Sequence, residues 1–233
     1  MTTNVFFFLP GLHGEIRQQG SVSPMEPDHG LLRLERAMVM DAADRLATQE
    51  GIAVVLFEAA EGDVDEGRPV STVAMRTQPG VAAKCRVEEA VRSFYGREGG
   101  GTLAVVLGRN PLYPPSEILR AASLLDQEDD AVVYAAAAAG EDAPVALTVT
   151  RRFHAELFGA ADTGCPATTL RNIVAAEALV IPLRPMRTID NLADLPWLIH
   201  EVEREVLMGH WFPQRTYEIL KSMRRNNLIP EPA

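Results

Sequence analysis

The sequence predicts an α/β fold: a three-layer α/β/α arrangement around a mostly parallel sheet, followed by a carboxyl-terminal helical extension. Three observations predict it. Short apolar runs of about four to eight residues, bounded by turn signals, have the pattern of strands buried on both faces. Longer segments with apolar residues at helical spacing alternate with those runs, which places helices on each side of a parallel sheet. The 233 residues carry 47% hydrophobic and 23% charged side chains, enough for one sizeable core.

The elements follow in order. Val5–Leu9 is the first strand. At about five residues it is far short of the ~20 that a membrane span needs, and it lacks a basic leader-type flank. Leu31–Gln49 is a helix whose Leu34, Met38, Ala42 and Leu46 form one stripe. Ile52–Phe57 is the second strand. Glu58–Pro69 (EAAEGDVDEGRP) is an exposed acidic loop, and its Asp63 and Asp65 lack the spacing of a calcium loop. Val87–Phe94 is a short helix. Gly99-Gly100-Gly101 precedes a strand rather than following one, so it is a linker turn and not a phosphate cradle. Leu103–Leu107 is the third strand, and Ser116–Asp126 is a helix with Ile118, Ala122 and Leu125 on one face and Pro115 suited to its first turn. Ala131–Ala137, Val145–Val149 and Ala178–Ile181 complete the strands. Arg151–Phe158, Thr168–Ala176, Leu192–Met208 and Pro213–Asn226 complete the helices, with Pro196 interrupting one of them early. Residues 1–195 are expected to form the α/β domain and 196–233 the helical extension, which docks on the domain or on a second subunit.

Charge and chemistry narrow the classes. A net charge of -10 and a pI near 5.0 argue against nucleic acid or an anionic membrane as the main partner. Lys221, Arg224 and Arg225 read as a solvated helix face. Cys85 and Cys165 have no CxxC partner, which suits a reducing cytoplasm and no zinc site. The five histidines, His13, His29, His154, His200 and His210, are scattered, and no nucleophile elbow is present.

In open parallel sheets, ligands bind beyond the carboxyl ends of the strands. The candidate segments are Pro10-Gly11-Leu12-His13, Gly108-Arg109-Asn110, Gly140-Glu141-Asp142 and Arg187-Thr188-Ile189-Asp190, expected to converge on one hollow. Gly11 and Gly14 allow backbone N–H groups to face an anion, and Arg17 is the nearest cation. Arg109 has a fork suited to phosphate oxygens, or is a surface arginine at a strand end. Asp142 is a base or hydroxyl acceptor, or a turn aspartate bonded to its own backbone. Asp190 reads as a helix cap. His210-Trp211-Phe212 reads as an aromatic packing corner or interface.

Four motifs carry a family resemblance. Gly108-Arg109-Asn110-Pro111, followed by Pro114-Pro115-Ser116-Glu117-Ile118-Leu119, stands where the family has glycine-serine-aspartate-cysteine-proline and a proline-opened helix. Glu141-Asp142-Ala143-Pro144-Val145-Ala146 leads to Glu156-Leu157-Phe158, where the family has a glutamate-aspartate-glycine-glycine strand and a short helix with the same last three residues. Cys165-Pro166-Ala167-Thr168 stands for a Ser-Thr-Pro segment. Thr188-Ile189-Asp190-Asn191-Leu192-Ala193-Asp194-Leu195 is similar to Asp-Ile-Asp-Thr-Pro-Glu-Asp-Leu. On these residues, from about Met75 to Glu201, the sequence resembles the nucleotide-diphospho-sugar transferase superfamily with the glycosyltransferase-A fold. Within it, the resemblance is to the small bacterial transferases found beside radical-SAM enzymes.

The resemblance implies a nucleotide or nucleotide-sugar at the strand ends and transfer of a glycosyl or nucleotidyl group. It implies a catalytic or sugar-binding role for Asp142. It implies nucleotide contacts from Pro10, Gly11, His13, Arg17, Gln78, Arg109 and Asn110, with Arg86 near another family position. Metal-using members hold Mg²⁺ or Mn²⁺ with an acidic residue after the third strand and the first acidic or amide residue of the late motif. Those positions are Arg109 or Asn110 and Thr188 here, and the glycine pair is Ala143-Pro144, so the ligands are largely missing and the cofactor stays open. Arg109 or Arg17 would then offset the diphosphate charge without metal. The alternative is a degenerate relative that serves as a partner subunit or small-ligand scaffold, or pairs as a homodimer through its carboxyl-terminal helices.

Overall fold

The computed structural model describes residues 2–8, 29–59, 72–75, 83–97, 101–128, 130–138, 145–158, 173, 178–189, 191–209 and 211–229. Seven strands form one sheet in the order β3-β2-β1-β4-β6-β5-β7. They are β1 Thr3–Phe8, β2 Ile52–Ala59, β3 Thr72–Met75, β4 Thr102–Val106, β5 Ala131–Ala136, β6 Val145–Thr150 and β7 Leu179–Pro182. All are parallel except β6, which runs antiparallel between β4 and β5. The helices are α1 His29–Ala47, α2 Ala83–Arg97, α3 Pro115–Leu124, α4 Ala155–Phe158, α5 Leu195–Leu207 and α6 Gln214–Arg225, with a 3-10 turn at Leu192–Asp194. The α/β class, the mostly parallel sheet and the carboxyl-terminal helices stand as expected.

Side-chain alternation builds the layers. On β4, Ala104 and Val106 point into the core beneath α1 and α3, while Leu103 and Val105 point into the core beneath α2 and α4. β1 repeats this, with Val5 and Phe7 on the first side and Phe6 on the second. Both faces are dry, which is why these strands read as continuous apolar runs rather than alternating ones.

Three features differ from the sequence expectation. β3 (TVAM) was not anticipated, because four residues, only three of them apolar, do not stand out from a loop. β6 reverses direction, and the spacing foretells that: residues 137–144 are too few for the crossover of about a dozen residues that a parallel return requires. The helix expected at Arg151–Phe158 begins only at Ala155, since Arg151 turns inward to donate from Nη1 to the Leu125 carbonyl at 2.8 Å. Of Thr168–Ala176, only Ile173 falls among the described residues; it is helical and fully buried.

The last two helices dock on the outer side of α1. Leu34 and Met38 meet Leu195, Leu198 and Val202 of α5 and Leu220 and Met223 of α6, all buried. Each such side chain stabilises the packing by ~1.5–3 kcal/mol relative to exposure. One polar clamp sets the register. Asp41, 1% exposed, accepts from Arg215 Nη1 at 2.9 Å and from the Thr216 backbone N–H at 2.8 Å, satisfying an orphan donor of the first turn of α6. At the entry to α5, Asn191 does the capping expected of Asp190. It accepts from Ala193 N at 2.8 Å while Asp194 accepts from Asn191 N at 3.2 Å, a reciprocal pair. Asp190 itself lies outside the described residues. Among the described residues, no helix is long and apolar enough to cross a membrane.

Candidate functional site at the strand ends

The carboxyl ends of the parallel strands lie along one edge, and β4 is central to it. Phe7 of β1 stands opposite Val106 of β4, so the two strands end side by side. Beyond Val106 the chain is held by β6: Leu107 N and Gly108 N both donate to the Ala146 carbonyl, at 2.9 and 3.0 Å. The late segment arrives from β7, where Met186 bridges to Ala137 and receives the Ala138 N–H at 3.1 Å. It then closes against β4, with Ile189 N donating to the Arg109 carbonyl at 2.8 Å. Two stretches about eighty residues apart in sequence are thereby side by side.

Gly108 makes this approach feasible. A Cβ there would lie 2.7 Å from Thr188 Cγ2 and 2.9 Å from Ala146 Cβ, with the Tyr113 hydroxyl nearer still. Any side chain would push the late segment off β4. Tyr113, itself 1% exposed, fills the space below the turn.

Arg109 and Asn110 are the two predicted site residues among those described. Arg109 Nη1 lies 2.9 Å from Glu35 Oε1 of α1; the Arg109 side chain is 36% exposed and that of Glu35 is 9% exposed. The cation therefore neutralises a buried carboxylate and leaves its outer edge toward solvent. Asn110 is tied on both sides: Nδ2 donates to the Arg187 carbonyl at 2.8 Å, and Oδ1 accepts from Leu112 N at 2.8 Å. Its amide is a splint between the β4 exit and the late segment. Pro10, Gly11, His13, Arg17, Gln78 and Asp142 lie outside the described residues.

Glu35 and Tyr113 are the residues that sequence reasoning missed. Glu35 had a signal, since it sits beside Leu34 in the apolar stripe of α1, where a carboxylate needs a partner. Tyr113 had none beyond its place in a proline-bracketed turn.

The described residues at the two metal positions do not fit Mg²⁺ or Mn²⁺. A guanidinium repels the ion, the Asn110 oxygen already accepts a backbone N–H, and Thr188, 7% exposed, packs its methyl toward Gly108. A hard cation needs several oxygens, carboxylates among them. Electrostatically, the β4 exit presents arginine where a carboxylate–metal pair would stand.

No protein-family model matches the sequence, and no curated protein is significantly similar to it. Among solved structures, the chain is similar to a crystal structure described as that of an inferred nucleotide-diphospho-sugar transferase from Desulfovibrio desulfuricans G20. The TM-score is 0.69 at 18% sequence identity, over 99% of this chain and 100% of that one. That likeness speaks for the fold and not for the radical-SAM-associated branch. Over 99% of its length, the chain shares the fold of that protein.

Proposed function

We propose that the protein binds a nucleotide or nucleotide-sugar beyond the carboxyl ends of β1 and β4 and transfers a glycosyl or nucleotidyl group. The reading rests on one observation. In a chain with this fold, the β4 exit and the late segment are joined through Arg109 and Ile189, the two places where metal-using relatives gather their ligands. Arg109, anchored by Glu35, offsets the charge on the diphosphate with its exposed edge, and Asp142 serves as base or sugar-hydroxyl acceptor. The chain works in a reducing cytoplasm, with residues 1–195 as the transferase domain and 196–233 as the extension.

A second reading has its own support. Gly108 is crowded on three sides and Arg109 is already paired, which suits a relative that kept the scaffold as a partner subunit or homodimer. Thermal melting with UDP, GDP, ADP and CDP and their sugar conjugates at millimolar concentration, with and without Mg²⁺ or Mn²⁺, separates the two. Ligand at ten times its Kd adds ~1.4 kcal/mol, a rise of about 3–6 °C for a chain of this size. No rise with any of them removes the transferase reading. Light scattering at twice 25.4 kDa, or a copurifying subunit, supports the scaffold.

A further inference from the structure

On the flank of the sheet, a cleft of about 370 Å³ opens between α5 and the chain that leaves β7. Small-molecule sites occupy roughly 300–1,000 Å³. Trp197 gives it an aromatic wall, and Pro114, Leu183 and Met186 add apolar surface. This is a cavity with a body-binding surface, and its charged rim is unusual for the molecule.

In a protein of net charge -10, four arginines line this cleft against three glutamates. Arg204 lies 2.6 Å from Glu201. Arg187 lies 3.8 Å from Asp194, with its guanidinium 4.6 Å from the Trp197 ring centroid. Arg45 is the deeper cation: its side chain is 19% exposed, and its carboxylate contact, to Glu205, is long at 3.8 Å. Its guanidinium also lies 5.6 Å from the Trp211 ring centroid, and burial lowers its pKa against the opposing charge of Glu205. Arg184, on the exposed rim, has no carboxylate partner among the described residues.

We propose that this cleft binds a small organic anion, a carboxylate or phosphate group contacted by Arg184 on a flat apolar body that lies against Trp197, Leu183 and Met186. A guanidinium fork suits either oxyanion, and a partly buried cation with a long carboxylate contact, such as Arg45, favours an anion nearby. The cleft shares Asn110 with the candidate nucleotide site, but the proposal requires neither a diphosphate nor a nucleoside.

The test is ligand-observed NMR titration of the whole chain with four probes: phenyl phosphate, benzoate, inorganic phosphate and benzyl alcohol. At least one aromatic anion is expected to bind saturably with Kd at or below about 1 mM, with inorganic phosphate and benzyl alcohol each ~10-fold weaker, because each keeps only half of the contacts. The tighter of phenyl phosphate and benzoate identifies the oxyanion. Arg184→Ala is expected to weaken that probe ~10-fold, through loss of a charge-assisted hydrogen bond. Arg184→Lys should restore part of it, and Arg225→Ala, on the exposed face of α6, should leave it unchanged. Because Arg184 is exposed, its variants fold. Absence of saturable binding by both aromatic anions, or equal binding to Arg184→Ala, overturns the proposal.

Discussion

Replacing Arg109 with alanine asks how much of this residue's work is structural. The change leaves Glu35, 7% exposed, without its cation 2.9 Å away. Removing one partner of a fully buried pair costs about 3–5 kcal/mol. Here the arginine side chain is 36% exposed, so water reaches the pair, and Glu35 keeps another interaction. The expected loss is therefore about 1–2 kcal/mol. For a chain of 233 residues that lowers Tm by about 2–8 °C. Calorimetry on Arg109→Ala, Glu35→Gln and the double variant checks it: the double should be more stable than the two losses summed, by ~1 kcal/mol. Arg109→Lys adds the functional arm. Lysine still neutralises Glu35 but offers no fork, so stability should survive while any nucleotide-induced rise in Tm shrinks. The pairing account fails if Arg109→Ala melts within about 0.5 kcal/mol of the parent, or if the two single losses simply add.

Three further outcomes are expected. Asp41→Ala removes two hydrogen bonds to the start of α6 at a buried site, with a loss of ~2–4 kcal/mol; amide exchange in α6 should accelerate more than in β4, and uniform acceleration would contradict the clamp. Gly108→Ala drives a methyl into Thr188 and Ala146 and should cost ~1–3 kcal/mol, read as a lower urea midpoint; an unchanged midpoint would mean that the late segment is free to move. His154 is buried with no hydrogen-bond partner at Nε2 among the described residues, and burial lowers its pKa from 6.5 despite the opposing charges of Asp130 and Glu156. The folded state thus prefers the neutral ring. Its contribution is whole above pH 6.5 and declines as pH falls below that value toward the lower folded pKa. His154→Gln should flatten the slope of Tm against pH in that window, and an unaltered slope would exclude the histidine as its source.

Much of the fold was legible because burial on both faces leaves a direct trace. Phe6, Phe7, Val105 and Val106 are consecutive apolar residues, and only a strand covered on each side buries them all. The stripe of Leu34, Met38, Ala42 and Leu46 was equally readable, since all four are buried. The same pattern hid something. Leu34 and Met38 pack against the last two helices, while Ala42 and Leu46 pack against the sheet, and periodicity does not distinguish one neighbour from another. At the candidate site, the residue types beyond β4 were readable, but their partners were not. Arg109 looked like a free cation because Glu35 is seventy-four positions away in the chain.

By itself, the sequence determined the class of fold, the run of strands and helices apart from β3, and the absence of a carboxylate from the β4 exit, because each depends on local residue type and spacing. Only the tertiary structure decided that Arg109 belongs to Glu35, that Asn110 splints the late segment, that Gly108 has no room for a side chain, and that four arginines share a flank cleft. Those facts are contacts between distant parts of the chain. They arise when packing brings the parts together, and no local pattern encodes which charge will meet which.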